Sequence, residues 1–323
     1  MRVPLPEVRA LPAEPGVYRF RDERDRTVYI GRASNLRRRV ASYWGDLRGR
    51  PHLRRRVSRI ARVEAVSCDS DHEAAWLERN LLEHARPPWN RTTGVESTVY
   101  IGLDRRVEVR HEPGTAGLTF GPYLGGDKVR LAVSGLERAL AVAYAGDGLG
   151  GFDREMARVR GVAPGSRPDL LAEAGAVLRR DRLAGERVWA ALVERRDAAA
   201  TALAFELAAR IQDEIDALHW VTAEQKVTGA ESDVDIYGWH DGVLVSFQLR
   251  AGRVRAWTQR QCEEPAARVR VEATPAGWRT FADRNAVLAA RLAAAHRAPG
   301  GNSPDHNREA VPQRPAARYV TPR

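Results

Sequence analysis

Gly16-Val17-Tyr18-Arg19-Phe20 and Arg26-Thr27-Val28-Tyr29-Ile30-Gly31 are two short runs rich in β-branched and aromatic residues, separated by the polar stretch Asp22 to Asp25. Such runs bounded by turn residues predict a β-hairpin. With Glu23 and Arg24 as a two-residue tip, antiparallel pairing sets Tyr18 directly opposite Tyr29, and opposed residues share a face of the sheet. Two phenols would then converge on one site. Tyrosines are also ordinary strand formers, so the hairpin by itself assigns no chemistry.

Ser34 reads as the N-cap of a helix from Asn35 to about Trp44, with Leu36 and Val40 as its apolar stripe. Arg39 and Tyr43 are four apart and share a face beside that stripe, which places a guanidinium and a phenol at the edge of the core. Arg37 and Arg38 point more toward solvent. With Arg54, Arg55 and Arg56 they form a basic surface suited to DNA phosphates, the plain alternative being a solvated helix face. Further on, Ser70 with Glu73 is a capping box that opens a helix from Asp71 to Ala85. Ala74, Leu77, Leu81, Leu82 and Ala85 make its apolar face, and Glu78 falls near the middle of that face. A carboxylate facing a core is costly unless a cation meets it, so Glu78 asks for a metal ion or for an arginine such as Arg32 or Arg39.

The chain has 323 residues, 43% of them hydrophobic, and a net charge of +10. That length supports two or three small domains, and the charge is the natural match for a polyanion. Arginine carries it, because Lys128 and Lys226 are the only lysines. Cys68 and Cys262 lack the spacing of a zinc site, an iron-sulfur cluster or a disulfide framework. No apolar run approaches a membrane span, which predicts a soluble, cytoplasmic protein without a membrane partner. The expected fold class is α+β, a small hairpin-led sheet with flanking helices over residues 11–92. A segment containing Phe120-Gly121-Pro122-Tyr123 as a turn follows over 93–145, then a glycine-rich linker over 146–167. A helical region over 168–222, a small β-rich domain with a helix over 227–297 and a disordered tail over 298–323 complete the expectation.

Gly16-Val17-Tyr18 and Tyr29-Ile30-Gly31 resemble the two signatures of GIY-YIG nucleases. The fuller run from Pro15 through Arg32-Ala33-Ser34-Asn35-Leu36 to Tyr43, with Leu77-Glu78-Arg79-Asn80 and Arg86-Pro87-Pro88-Trp89-Asn90, is similar to the amino-terminal domain of the UvrC excision-repair nucleases. The resemblance implies a metal-dependent endonuclease acting on damaged duplex DNA. Glu78 would ligate Mg²⁺ or Mn²⁺, and Tyr29 would act as, or position, the general base. Arg39 would hold the phosphate, Tyr18 and Tyr43 would orient water and phosphate, and Asn90 would fix the end of the glutamate helix. Arg32 stands where the family pattern has lysine, and its charge would lower the Tyr29 pKa without exchanging a proton. Residues 204–218 resemble the second half of the UVR hairpin by which UvrC meets UvrB, with Phe205, Ala208, Ile211 and Ile215 as partner-facing positions. Residues after Val227 resemble only the opening strands of the family's RNase H-like half, so the expectation is a shortened UvrC-like protein making one incision at most. The alternative is a non-catalytic adaptor that binds DNA and UvrB and keeps the nuclease shape.

Overall fold

The computed structural model describes residues 5–45, 56–90, 98–228 and 233–298. Arg54, Arg55 and the expected tail from residue 299 onward lie outside them. The first unit comprises α1 (Pro6–Ala10), β1 (Gly16–Arg21), β2 (Thr27–Ala33), α2 (Leu36–Ala41), a 3₁₀ turn at Val57–Arg59, β3 (Arg62–Ser67) and α3 (Asp71–Ala85). Its antiparallel sheet has the order β2-β1-β3. The second contains β4 (Thr98–Leu103), β5 (Val107–Arg110), β6 (Leu118–Leu124) and five helices: α4 (Gly126–Leu140), α5 (Gly151–Arg160), α6 (Arg167–Leu178), α7 (Arg182–Thr201) and α8 (Phe205–Thr222). The third is the meander β7 (Val234–His240), β8 (Val243–Arg250) and β9 (Arg253–Gln261), followed by α9 (Glu264–Glu272) and α10 (Ala276–Arg297). The class is α+β, and no described helix is long and apolar enough to cross a membrane.

The hairpin differs from expectation in a way that preserves its faces. Asp22 N–H bonds to the Arg26 carbonyl and Asp25 adopts φ 57°, so the tip has three residues rather than two. Asp22 Oδ1 accepts the backbone N–H groups of Arg24 and Arg26 at 3.0 Å each, which makes this tip an Asx-type turn. A bulge beyond Arg21 adds a second residue of offset, and Tyr18 pairs with Gly31 while Phe20 pairs with Tyr29. Two offsets of one residue cancel in a structure of period two. Tyr18 and Tyr29 are therefore diagonal neighbours on the same face rather than direct opposites.

Other local expectations shift for equally local reasons. The N-cap of α2 is Asn35, whose side chain accepts from Arg38 N at 2.9 Å, and the helix ends at Ala41. Phe120 to Tyr123 lies inside β6 rather than in a turn. The glycine-rich stretch over 146–167 contains the helix α5, closed by Gly161 in the left-handed region at φ 68°, where a C-cap glycine is favoured.

The third unit is not a separate domain. Val17, Ile30, Val66, Trp76 and Leu77 of the first unit share one core with Phe247, Val254, Trp278, Phe281 and Ala286. Helix α3 is thereby covered by β1 and β2 on one side and by β9 on the other, which is why nine of its residues are buried. Two asparagines finish the edges of the first sheet. Asn285 of α10 exchanges hydrogen bonds with Ser67 N and O at 2.7 and 3.2 Å, and Asn90 does the same with Ile30 N and O at 3.0 and 2.8 Å. Each satisfies backbone groups that an unpaired edge would leave open. The second unit keeps its own core, in which Ile101, Leu136, Leu192, Ile215 and Leu218 pack together. There the fully buried Glu214 of α8 is met by Arg138 at 2.5 and 2.9 Å and by Ser134 at 2.7 Å, both on α4.

Candidate active site

The three tyrosines form a near-equilateral cluster. Ring centroids lie 6.1 Å apart for Tyr18 and Tyr29, 6.0 Å for Tyr18 and Tyr43, and 6.1 Å for Tyr29 and Tyr43, with Phe20 packed against all three. β1 supplies Tyr18, β2 supplies Tyr29, and the turn after α2 supplies Tyr43. The Tyr18 and Tyr43 hydroxyls are 2.6 Å apart. Arg39 lies 5.7 Å from the Tyr43 ring centroid, and its charge acts on the Tyr18 and Tyr29 phenols as well. The result is a chain of phenols running from the half-buried Tyr29 to a guanidinium.

Burial pushes the Tyr18 and Tyr29 phenols up from their ordinary pKa, and the neighbouring Tyr43 adds to both shifts. Arg39 opposes the shift at each. Arg39 is thus a cation that favours a Tyr29 phenolate, the role expected of Arg32.

Gly31 is the residue that lets the phenols close up. A Cβ there would stand 2.6 Å from the Tyr18 hydroxyl oxygen and 2.9 Å from the Tyr29 ring. Gly31→Ala is expected to cost about 1–3 kcal/mol by overpacking, measured by urea unfolding, together with loss of the Tyr18–Tyr43 hydrogen bond.

Glu78 lies on α3 facing β2. One carboxylate oxygen accepts the Arg32 backbone N–H at 3.1 Å, and the other faces the Arg32 guanidinium at 3.5 Å. Its side chain is 21% exposed, so it sits at the rim of the core and not within it. The fully buried acid of this helix is Glu73, whose oxygens accept Asp69 N at 2.7 Å and Lys226 N at 2.9 Å. Covering α3 from both sides widened its buried surface beyond the single stripe that periodicity suggested. Among the described residues no group of three or more His, Cys, Asp or Glu side chains could cage a metal ion. A lone reachable carboxylate instead suits Mg²⁺, which keeps several waters and completes its shell with substrate phosphate. Arg32 is the cation with which such an ion would compete.

The remaining expected positions separate. Asn90, in the segment that leaves α3, clamps β2 beside Tyr29. Arg37 is not directed to solvent alone, since its guanidinium bonds to the Leu11 carbonyl at 2.7 Å and ties α2 to the amino-terminal segment. Arg38 is exposed on α2. Of the expected partner-facing residues, Ile211 and Ile215 are buried at 2% and 5% exposure in the second unit's core and Ala208 is half-buried, while Phe205 is 65% exposed at the α7–α8 tip. Leu203 and Leu207 are exposed beside it.

One cluster had no expected role. Glu64 of β3 is buried against Arg19, Arg21 and Arg62. The Arg19 guanidinium also lies 3.8 Å from the Trp257 ring centroid and donates to its carbonyl at 2.7 Å, joining β1 to β9. Burial works against charge on Glu64, but the three arginines outweigh it and hold the carboxyl below its usual range. Burial in turn brings Arg19 down to about 10. The sequence offers no signal for this cluster because its members alternate along strands with apolar residues.

A family model described as a UvrC-like GIY-YIG domain matches residues 14–91. UvrABC system protein C of Mycobacterium sp. strain KMS is 31% identical over 283 residues, covering 79% of this chain and 42% of that protein. The protein of the same name in Mycolicibacterium vanbaalenii is 31% identical over 296 residues, covering 83% and 43%. The chain thus spans a little over two fifths of the length of these relatives. Among solved structures, the GIY-YIG N-terminal endonuclease domain of UvrC from Thermotoga maritima, bound to magnesium as its catalytic divalent cation, is 31% identical. That match covers 26% of this chain and 91% of that one, with a TM-score of 0.24.

Proposed function

Because residues 14–91 belong to the UvrC-like GIY-YIG family, we propose that this chain hydrolyses a DNA phosphodiester in a UvrC-like excision reaction, one incision at the site built from Tyr18, Tyr29, Arg39, Tyr43 and Glu78. The observation that carries the reading is the meeting of three phenols, a guanidinium and one accessible carboxylate contributed by four different elements. Each residue then has a distinct task. Glu78 would hold Mg²⁺ or Mn²⁺, which when bound supplies charge that stabilises the phosphoryl and leaving oxygens. Arg39 offsets the negative charge that builds on the phosphate. Tyr29 orients the attacking water and, when deprotonated to the phenolate, takes its proton and returns to the neutral phenol. Arg39 favours that phenolate, against burial and Tyr43, which both raise the Tyr29 pKa. Asn90 keeps β2 from sliding and so keeps Tyr29 in place.

A non-catalytic adaptor is the second reading, and the Arg32–Glu78 pair favours it, since a guanidinium already meets the carboxylate. Nicking of a supercoiled plasmid carrying a defined lesion, with Mg²⁺ or Mn²⁺ and with EDTA, separates the two. Metal-dependent nicks support the nuclease. Lesion binding without nicks in either metal supports the adaptor.

The helical hairpin of α7 and α8 is the proposed contact for a UvrB-like protein, through its exposed tip. Because Phe205 is largely exposed, Phe205→Glu should leave the melting temperature unchanged and weaken capture of that partner about tenfold, roughly the value of a partly buried apolar anchor. Unaltered capture would remove the tip from the contact.

A further inference from the structure

A cleft of about 870 Å³ opens beside the tyrosine cluster, and its two walls come from different units. α2 provides one wall with Arg38 and Arg39, and the start of α4 provides the other with Lys128, backed by Trp220 of α8. The acids at its rim are Asp71 and Asp127, and Asp127 is already engaged by Arg130. Among the described residues no carboxylate forms an ion pair with Arg38 or Lys128.

Lys128 is held, not loose. Its ammonium lies 5.0 Å from the Trp220 ring centroid, and the same indole packs against His72, whose ring centroid is 4.3 Å away. In a chain with 52 basic side chains, Lys128 and Lys226 are the only two that are not arginine. At this position a compact ammonium over an indole leaves the cleft open, where a guanidinium would lie flat and fill more of its mouth.

Resting on the nuclease reading above, we infer that this cleft seats an unpaired DNA strand continuing from the scissile phosphate, with Arg38 and Lys128 contacting successive backbone phosphates from opposite walls. Arg39 borders both the cleft and the phenols, so a strand leaving the site enters the cleft without a gap. The volume falls in the range of about 300–1,000 Å³ typical of ligand clefts, enough for a few nucleotides of one strand and too little for a duplex. Trp220 already packs against His72 and Lys128, and its role here is to position the ammonium. Recognition is accordingly through phosphate and independent of base sequence.

The test is fluorescence anisotropy with the full chain in EDTA, so that cleavage plays no part. The probes are a splayed-arm DNA with one unpaired strand and a fully paired duplex of the same sequence. Lys128→Glu should weaken splayed-arm binding about tenfold and lower the slope of log K against log salt by about 0.7, the value of one single-strand phosphate contact. Lys128→Arg should restore the slope, and duplex binding should stay within about twofold. Lys128 is exposed on α4, and equal melting temperatures would confirm that the variants fold. Parent-like affinity and salt slope for Lys128→Glu on the splayed-arm probe would overturn the inference. If Lys128→Glu behaves as expected while Glu78 proves dispensable for nicking, the strand site stands and the nuclease reading falls. If the parent binds neither probe, both fall.

Discussion

Glu78→Gln is expected to abolish metal-dependent nicking, lowering the rate at least about 10³-fold, while DNA affinity in EDTA stays within about threefold of the parent. The magnitude follows from several kcal/mol of charge stabilisation lost at the phosphate, at 1.36 kcal/mol per tenfold. Glutamine is the informative change because it keeps an oxygen to accept the Arg32 N–H, now at 3.1 Å from Glu78, and so preserves the packing of β2 on α3. Glu78→Ala should give the same loss of rate. Fold stability should change little in either variant, since a half-exposed ion pair contributes only about 0–1 kcal/mol. The measurement is single-turnover nicking over a Mg²⁺ titration. A variant that nicks as fast as the parent at every Mg²⁺ concentration would falsify the assignment of Glu78, whereas recovery only at high Mg²⁺ is the signature of a weakened metal site.

The second large effect concerns stability. Glu64→Ala should destabilise the chain by about 3–5 kcal/mol at pH 7, because it removes one partner of a buried network and leaves Arg19 desolvated beside Trp257. Its pH dependence has a definite sign. The folded-state pKa of Glu64 is depressed, so its contribution is fully present above the unfolded value of about 4.3 and is lost as pH falls through the lower folded value. Urea midpoints for parent and variant should therefore converge as the pH drops below about 4. A difference under about 1 kcal/mol at pH 7 would show that the network is neutral to stability. Because Arg19 joins β1 to β9, the variant should also unfold less cooperatively, with the carboxy-terminal meander releasing first.

How far the site was legible varies residue by residue. Tyr18 and Tyr29 were placed on one face from strand alternation alone, and the face survived a register error because the three-residue tip and the bulge each moved the pairing by one. Arg39 with Tyr43 was legible from helical spacing, although α2 stops at Ala41 and a turn completes the contact. Glu78 was singled out for the wrong physical reason. It is not the buried acid of its helix, yet it is the one that faces β2 and the phenol-bearing strand. The UVR-like positions were read from one helix alone, and α4 and α7 take up Ile211 and Ile215 on the face that a partner was expected to cover.

The amino-acid order alone settles whatever depends on short-range periodicity. It determined the hairpin, the capped helix α3, the faces carrying Tyr18, Tyr29 and Arg39, and the basic character of the chain. Which elements lie against which is set by the three-dimensional packing. The carboxy-terminal meander completes the core of the first unit, Glu64 gathers three arginines, Arg32 turns to Glu78, and Lys128 faces Arg38 across a cleft. The reason is physical. Alternation and helical spacing are set by backbone geometry within a few residues, whereas these contacts join positions far apart in sequence. They are selected by burial and charge pairing over the whole fold, with no local pattern to announce them.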